Sequence, residues 1–131
     1  MIKARMAKEA IVRMNNRVGV LAQVTKSLAD MGLNIEAVIA TVEGAEAVIR
    51  IVTSDHQRTV DALRDQRLEV QEARVVVAEV EHRPGLLREI TEKLARQHID
   101  LSYLYSTALG DKCLVVFSTT NDDWAIRVLN D

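Results

Sequence analysis

Two hexapeptides, Asn16-Arg17-Val18-Gly19-Val20-Leu21 and His82-Arg83-Pro84-Gly85-Leu86-Leu87, constrain this chain more than any other feature, because each follows a valine- or isoleucine-bearing run and precedes an amphipathic one. Gly19 and Gly85 lie at an offset of 85 − 19 = 66 positions. Without a gap, that offset also brings Arg17 onto Arg83, Leu21 onto Leu87, Thr25 onto Thr91 and Leu28-Ala29 onto Leu94-Ala95. Further along it joins Thr41 to Thr107, Gly44 to Gly110, Thr53 to Thr119 and Leu63 to Leu129. A register that survives two turns and a helix marks a tandem duplication. Modules at 8–72 and 73–131 are expected.

Each copy reads the same way. In the first, Glu9 to Met14 forms a strand and Val18 to Met31 a helix, with Val20, Leu21, Val24, Leu28 and Met31 on one face. Asn34 to Val42 is a second strand, Glu43-Gly44-Ala45 a hairpin turn and Glu46 to Thr53 a third strand. Ser54-Asp55 caps a helix that runs to about Gln66, and Leu68 to Val70 is a short fourth strand. The second copy gives a strand at Val75 to Glu81, a helix at Leu86 to Gln97, and strands at Leu101 to Ala108 and Lys112 to Thr119 around Leu109-Gly110-Asp111. A helix at Asp122 to Leu129 completes it. The fold class is therefore α+β, two ferredoxin-like βαββαβ modules in tandem, with the second module's last strand missing or shortened. No glycine or proline interrupts Leu68 to Glu81, so the fourth strand of one copy is expected to run almost directly into the first strand of the next. The missing strand leaves an edge to be covered, and Trp124 on the last helix is a candidate cover.

If Arg13, Glu36 and Arg50 mark the sheet face away from the helices, the same parity puts Ile11, Val38, Ala40, Val48 and Val52 there. In the second copy it puts Val75, Val77, Leu104, Leu114 and Val116 on that face. So apolar a face implies sheet packing or a second chain, and a homodimer is the simplest arrangement. By the same parity Tyr103, Tyr105 and Cys113 face the helices.

Composition excludes several function classes. A net charge of −2 provides no electrostatic footprint for nucleic acid or an anionic membrane. The one cysteine, Cys113, excludes an internal disulfide and a thiol-rich metal site, and His56, His82 and His98 lack metal spacing. No apolar run approaches spanning length, and the basic start lacks a signal core, so a cytoplasmic chain is expected. There is no Gly-X-Ser-X-Gly elbow, Walker loop, His-Glu-X-X-His or Cys-X-X-Cys. No enzymatic activity, metal or cofactor is expected.

The two hexapeptides, with Gly32-Leu33-Asn34-Ile35 and His98-Ile99-Asp100-Leu101 opening each second strand, resemble tandem ACT-domain proteins, regulatory modules that commonly bind amino acids. The resemblance runs from about Lys8 to Asn130 and is specific in combination. Tyr103-Leu104-Tyr105 and the helix Ala125 to Leu129 are similar to free-standing double-ACT proteins with no attached enzyme. The resemblance implies ligand contacts from the first loop, Asn15, Asn16, Arg17, Val18, Gly19, Val20 and Leu21, and from Asn34 and Ile35. In the second copy it implies His82, Arg83, Pro84, Gly85, Leu86, Leu87 and Asp100. Asn16 and Asn34 match the asparagines of amino-acid-binding members such as the regulatory domain of phosphoglycerate dehydrogenase, and an amide suits a zwitterion because it both donates and accepts. His82 and Asp100 replace that amide pair in copy two, while copy one has Val18 for the family's proline and Met14 at a position that can be histidine. The ligand is expected at an interface between modules. Blander roles stand beside these: Asn16 as a helix N-cap, Gly19 and Gly85 for close helix–strand approach, Asn34 and Asp100 as turn residues. An interaction module with no small ligand is the alternative function.

Overall fold

The computed structural model describes residues 2–131. Six strands and four helices succeed one another as β1 (Lys3–Asn15), α1 (Val20–Asp30), β2 (Ile35–Glu43), β3 (Glu46–Thr53), α2 (His56–Asp65), β4 (Val70–Glu81), α3 (Leu86–Arg96), β5 (Leu101–Leu109), β6 (Lys112–Thr119) and α4 (Asp122–Asn130). They form two compact units. One is Lys8–Ala73; the other joins residues 2–7 to Arg74–Asp131. The duplicated sequence is a duplicated fold, two ferredoxin-like modules.

In the unit Lys8–Ala73 the strands run in the order β2-β3-β1-β4. Helices α1 and α2 cover one face, where Ala10, Val12, Ile49 and Ile51 meet Val20, Val24, Leu28, Val60 and Leu63. The stripe that the periodicity expects on α1 is buried at Val20, Val24 and Leu28, whereas Leu21 and Met31 stay on its exposed side. Asp55 caps α2 by accepting from the Arg58 N–H at 3.2 Å.

The other unit solves the problem of the missing strand. Its order is β1-β4-β6-β5, so the first residues of β1 occupy the place beside β4 that a fourth strand would fill. Ile2 and Ala4 join the core with Val76, Val80, Leu86, Ile90, Leu94, Phe117 and Leu129. The Ala4 N–H donates to Asn130 Oδ1 at 2.8 Å, and the Asn130 amide donates back to the Ala4 carbonyl at 2.9 Å. Asn130, not Trp124, therefore fastens the covered edge; Trp124 is 41% exposed. Of the short strand expected at Leu68 to Val70, only Val70 is extended, as the first residue of the single strand β4, while Leu68 and Glu69 precede it.

Two irregularities overturn the parity expected for the outer strands. The β2–β3 pairing slips between Ile35 and Ala37, and the β5–β6 pairing slips between Leu101 and Tyr103. An extra residue in a strand inverts the facing of everything beyond it. Val38 and Ala40 consequently pair with Ile51 and Ile49 on the helix side, while Ala37 and Ile39 face outward. Leu104 pairs with Phe117 and packs in the core, and Tyr103 and Tyr105 lie on the outer face, half-buried. Cys113 does sit on the helix side, opposite Val80. The remaining outer-face residues Ile11, Val48, Val52, Val75, Val77 and Val116 are already buried in the single chain, so their apolarity does not require a second copy.

Two buried or bridged carboxylates take part in the first unit. Glu9 is wholly buried and receives Arg50 Nη1 at 3.2 Å. Glu72 receives His56 Nε2 at 2.8 Å, and that hydrogen bond, aided by the charges of His56, Arg64 and Lys8, holds its pKa below the ordinary 4.5. A depressed carboxylate pKa stabilises the folded state above its ordinary value and loses that contribution as pH falls through the lowered one. Glu72→Gln is thus expected to lower the urea midpoint at pH 7, with the difference from the parent shrinking as pH falls below the ordinary glutamate range. Asn130→Ala removes both bonds to Ala4 and should cost about 1–3 kcal/mol in the same urea titration, at every pH.

Candidate functional site

Both candidate loops are built on one turn. Val20 N–H donates to the Arg17 carbonyl and Leu86 N–H to the Arg83 carbonyl, each at 3.3 Å, closing a four-residue turn. The third residue is Gly19 (φ 92°, ψ −1°) or Gly85 (φ 86°, ψ −4°), values that define a type II turn. Pro84 stands at the second position, where its fixed φ is favourable, one residue before the helix cap rather than in the first helical turn. Val18 fills the same position in the first loop and is fully exposed. A Cβ at Gly19 or Gly85 would meet nothing within 4 Å. The positive φ, not close helix–strand approach, is what requires glycine there.

Hydrogen bonds lock each loop to its own module. Asn16 N–H donates to the Ala45 carbonyl and His82 N–H to the Asp111 carbonyl, both at 2.8 Å, so each loop rests on the hairpin turn between its second and third strands. His82 adds a contact from Nδ1 to the Gly110 carbonyl at 3.1 Å. The arginine of each turn reaches forward into the adjoining helix. Arg17 Nη2 meets Gln23 Oε1 at 2.6 Å, and Arg83 Nη2 meets Glu89 Oε2 at 2.8 Å. Arg83 also lies 3.7 Å from Glu81. The repeat keeps the clamp but changes its charge: Arg83 is held by two carboxylates and Arg17 by a neutral amide. Neither α1 nor α3 has a side chain bonded to its N-cap, so Asn16 is not the cap of α1.

The structure gathers Asn15, the last residue of β1, with Asn16, Arg17, Val18 and Gly19 of the following loop, all exposed, with Val20 buried and Leu21 exposed at the start of α1. It places Asn34 and Ile35 elsewhere. Asn34 exchanges backbone and hydroxyl bonds with Ser54, and Ile35 pairs with Thr53, whereas Asn15 pairs with Glu46. The two groups therefore stand at opposite ends of β3, an eight-residue strand of about 24 Å. His82 through Leu87 and Asp100 are separated in the same way, Asp100 being bonded to Thr120 beyond the far end of β6. Within one module no single small molecule touches both.

The sequence gives no sign of what lies beneath the second loop. A cavity of about 240 Å³ opens there, lined by apolar residues such as Val80, Leu86 and Val115 and by the polar residues Glu81, His82, Arg83, Ser106 and Thr107. A second hollow of about 510 Å³ lies near Lys3, Glu79, Lys112 and Leu114. No group of three or more metal-ligating side chains and no helix long and apolar enough to cross a membrane occurs among the described residues.

This architecture recurs among known proteins. A family described as an ACT domain pair matches residues 6–130. No curated relative matches the chain. Among solved structures, protein BT0572 from Bacteroides thetaiotaomicron superposes with a TM-score of 0.91 at 28% identity, covering 98% of this chain and 89% of that one. The ligand-free regulatory subunit of aspartate kinase from Thermus thermophilus has a TM-score of 0.72 at 12% identity, with 98% and 94% covered. The corresponding subunit from Thermus flavus has a TM-score of 0.64 at 12% identity, with 99% and 94% covered.

Because the turn demands positive φ in open space, Gly85→Ala is expected to cost about 1–2 kcal/mol, and Gly85→Asn less, in chemical unfolding.

Proposed function

The chain belongs to the ACT domain-pair family, and on that premise we propose that it is a regulatory protein, cytoplasmic and without catalysis of its own, that binds a small amino acid through its glycine-turn loops. The observation that carries this reading is the loop itself. Two modules keep the same rigid type II turn, the same tie to the hairpin and the same arginine clamp, although nothing in the core packs on the exposed loop residues. A rigid, exposed, repeated loop with an arginine and an amide is suited to a carboxylate and an ammonium. In the first module Arg17 is bonded to the neutral Gln23 amide, and α1 has no acidic residue in its first turn, which favours an anionic group there.

Because Asn16 and Asn34 lie at opposite ends of a strand, a ligand that uses both takes them from different copies of the module. A homodimer supplies such an arrangement. The edge strand β2 supports it: almost all of its residues are exposed, with Val38 43% and Val42 58% accessible, and an open edge pairs readily with a second copy. The same edge favours a second reading, in which the protein pairs through β2 and has no small ligand. Ligand binding would then shift an equilibrium between packings only as far as its affinities for them differ.

A thermal-shift screen against the twenty amino acids, with mass measured alongside, separates the two. At about a hundred times the dissociation constant, a ligand should stabilise the protein by roughly 2.7 kcal/mol. Arg17→Ala and Asn16→Ala should abolish that shift while leaving the unliganded melting curve near the parent's. A robust dimer that responds to no amino acid would favour the interaction module.

A further inference from the structure

We infer that the outer sheet face of the first module docks on the outer sheet face of the second module in another copy of this chain, at the end of each sheet where the glycine-turn loop begins. The contact goes beyond the proposed ligand binding and does not use the β2 edge. It rests on an inversion of charge within the repeat. The 66-residue offset pairs Lys3 with Glu69, Arg13 with Glu79 and Glu46 with Lys112, so opposite signs stand at equivalent positions. Their neighbours Ala4, Val70, Val12, Val80, Ala47 and Cys113 pack in or against the cores, so alternation along the chain turns all six charges to the outer faces. Across the first module the signs run negative just before β4, positive on β1 and negative on β3. Across the second they run positive on β1, negative on β4 and positive on β6. Faces packed with corresponding strands in line therefore meet opposite charges in every column when the modules are unlike, and equal charges when they are alike.

The two faces also differ in shape. In the first module Arg13 Nη1 and Glu46 Oε1 stand 3.2 Å apart as a partly exposed ion pair. Among the described residues no ion pair joins Glu79 to Lys112; these two line the hollow of about 510 Å³, with Lys3 and Leu114 beside them. The ion pair of one copy enters the hollow of the next, where Arg13 reaches Glu79 and Glu46 reaches Lys112. Leu109, 89% exposed at the hollow where the first module has Glu43, supplies apolar surface that the contact removes from water. Exposed ion pairs contribute little one at a time, so the three columns set which faces meet more than how tightly they hold.

The test is sedimentation equilibrium of the full chain at low salt with two double variants. Arg13→Glu with Glu46→Lys reverses the first face, and Glu79→Lys with Lys112→Glu reverses the second. Each variant should self-associate roughly tenfold or more weakly than the parent, with a melting curve near the parent's. An equimolar mixture of the two should regain the parent's association, because each reversed face then finds a reversed face and each unaltered face an unaltered one. Mixing rescues only a contact between copies, and pairing through β2 is the same in every sample and cannot imitate the rescue. Leu109→Asp should weaken association as well, and raising the salt from about 0.05 to 0.5 M should weaken the parent's. Equal mass for parent and variants at every concentration overturns the inference, as does a mixture no heavier than its components. Loss of association in only one double variant assigns the contact to like modules and overturns it too. Should a reversal unfold the chain, Leu109→Asp decides, and unchanged association there overturns the inference. The amino-acid reading stands in every one of these cases.

Discussion

The pairing of β1 along the edge of β4 is the constraint on which the second module depends. A βαββαβ module needs a strand beside its first one, and the order β1-β4-β6-β5 shows that residues from the beginning of β1 provide it. Without them a row of backbone N–H and C=O groups and the side of the core near Val76 and Val80 would lie open. The reciprocal bonds between Ala4 and Asn130 tie the added strand to α4, so segments from opposite ends of the described chain finish one core. In consequence β1 and β4 are the two longest strands, 13 and 12 residues, each serving both units.

The loops show what duplication preserves and what it releases. Backbone distances in the two turns agree to the tenth of an ångström: 3.3 Å across the turn, 2.8 Å to the hairpin and 2.9 Å into the helix. The scaffold is thus held by groups that every residue type carries, together with one glycine whose φ only glycine adopts without strain. Side chains at the same positions diverge. Gln23 becomes Glu89, Val18 becomes Pro84 and Asn16 becomes His82, so one frame presents an arginine held by a neutral amide in one module and an arginine held by carboxylates in the other.

Periodicity and the 66-residue offset made the element order, the Val20, Val24 and Leu28 stripe of α1 and the hairpins legible, because burial on a strand or helix recurs at fixed spacing. The hairpin at Glu43-Gly44-Ala45, the Asp55 cap and the strand Lys112 to Thr119 lie where local chemistry puts them. Parity failed at Val38, Ala40, Leu104, Tyr103 and Tyr105, since a bulge adds a residue without any compositional mark. Glu36 and Ser102 stand at the slips in the two modules, and no glycine or proline marks either one.

For the candidate site, the sequence by itself determined the residue types, the repeat and the glycine turn, because these depend on local backbone conformation. It also grouped Asn16 with Asn34 and His82 with Asp100. Only the tertiary structure decided that each pair is split across the length of a strand, since strand direction and hairpin registry are long-range properties. Likewise, the cavity under Arg83 arises where α3, β4, β5 and β6 leave a gap between side chains distant along the chain, and no local pattern encodes that gap. The source of the second module's fourth strand belongs with these, because pairing at a sheet edge is settled by which segment can reach that edge, however distant along the chain.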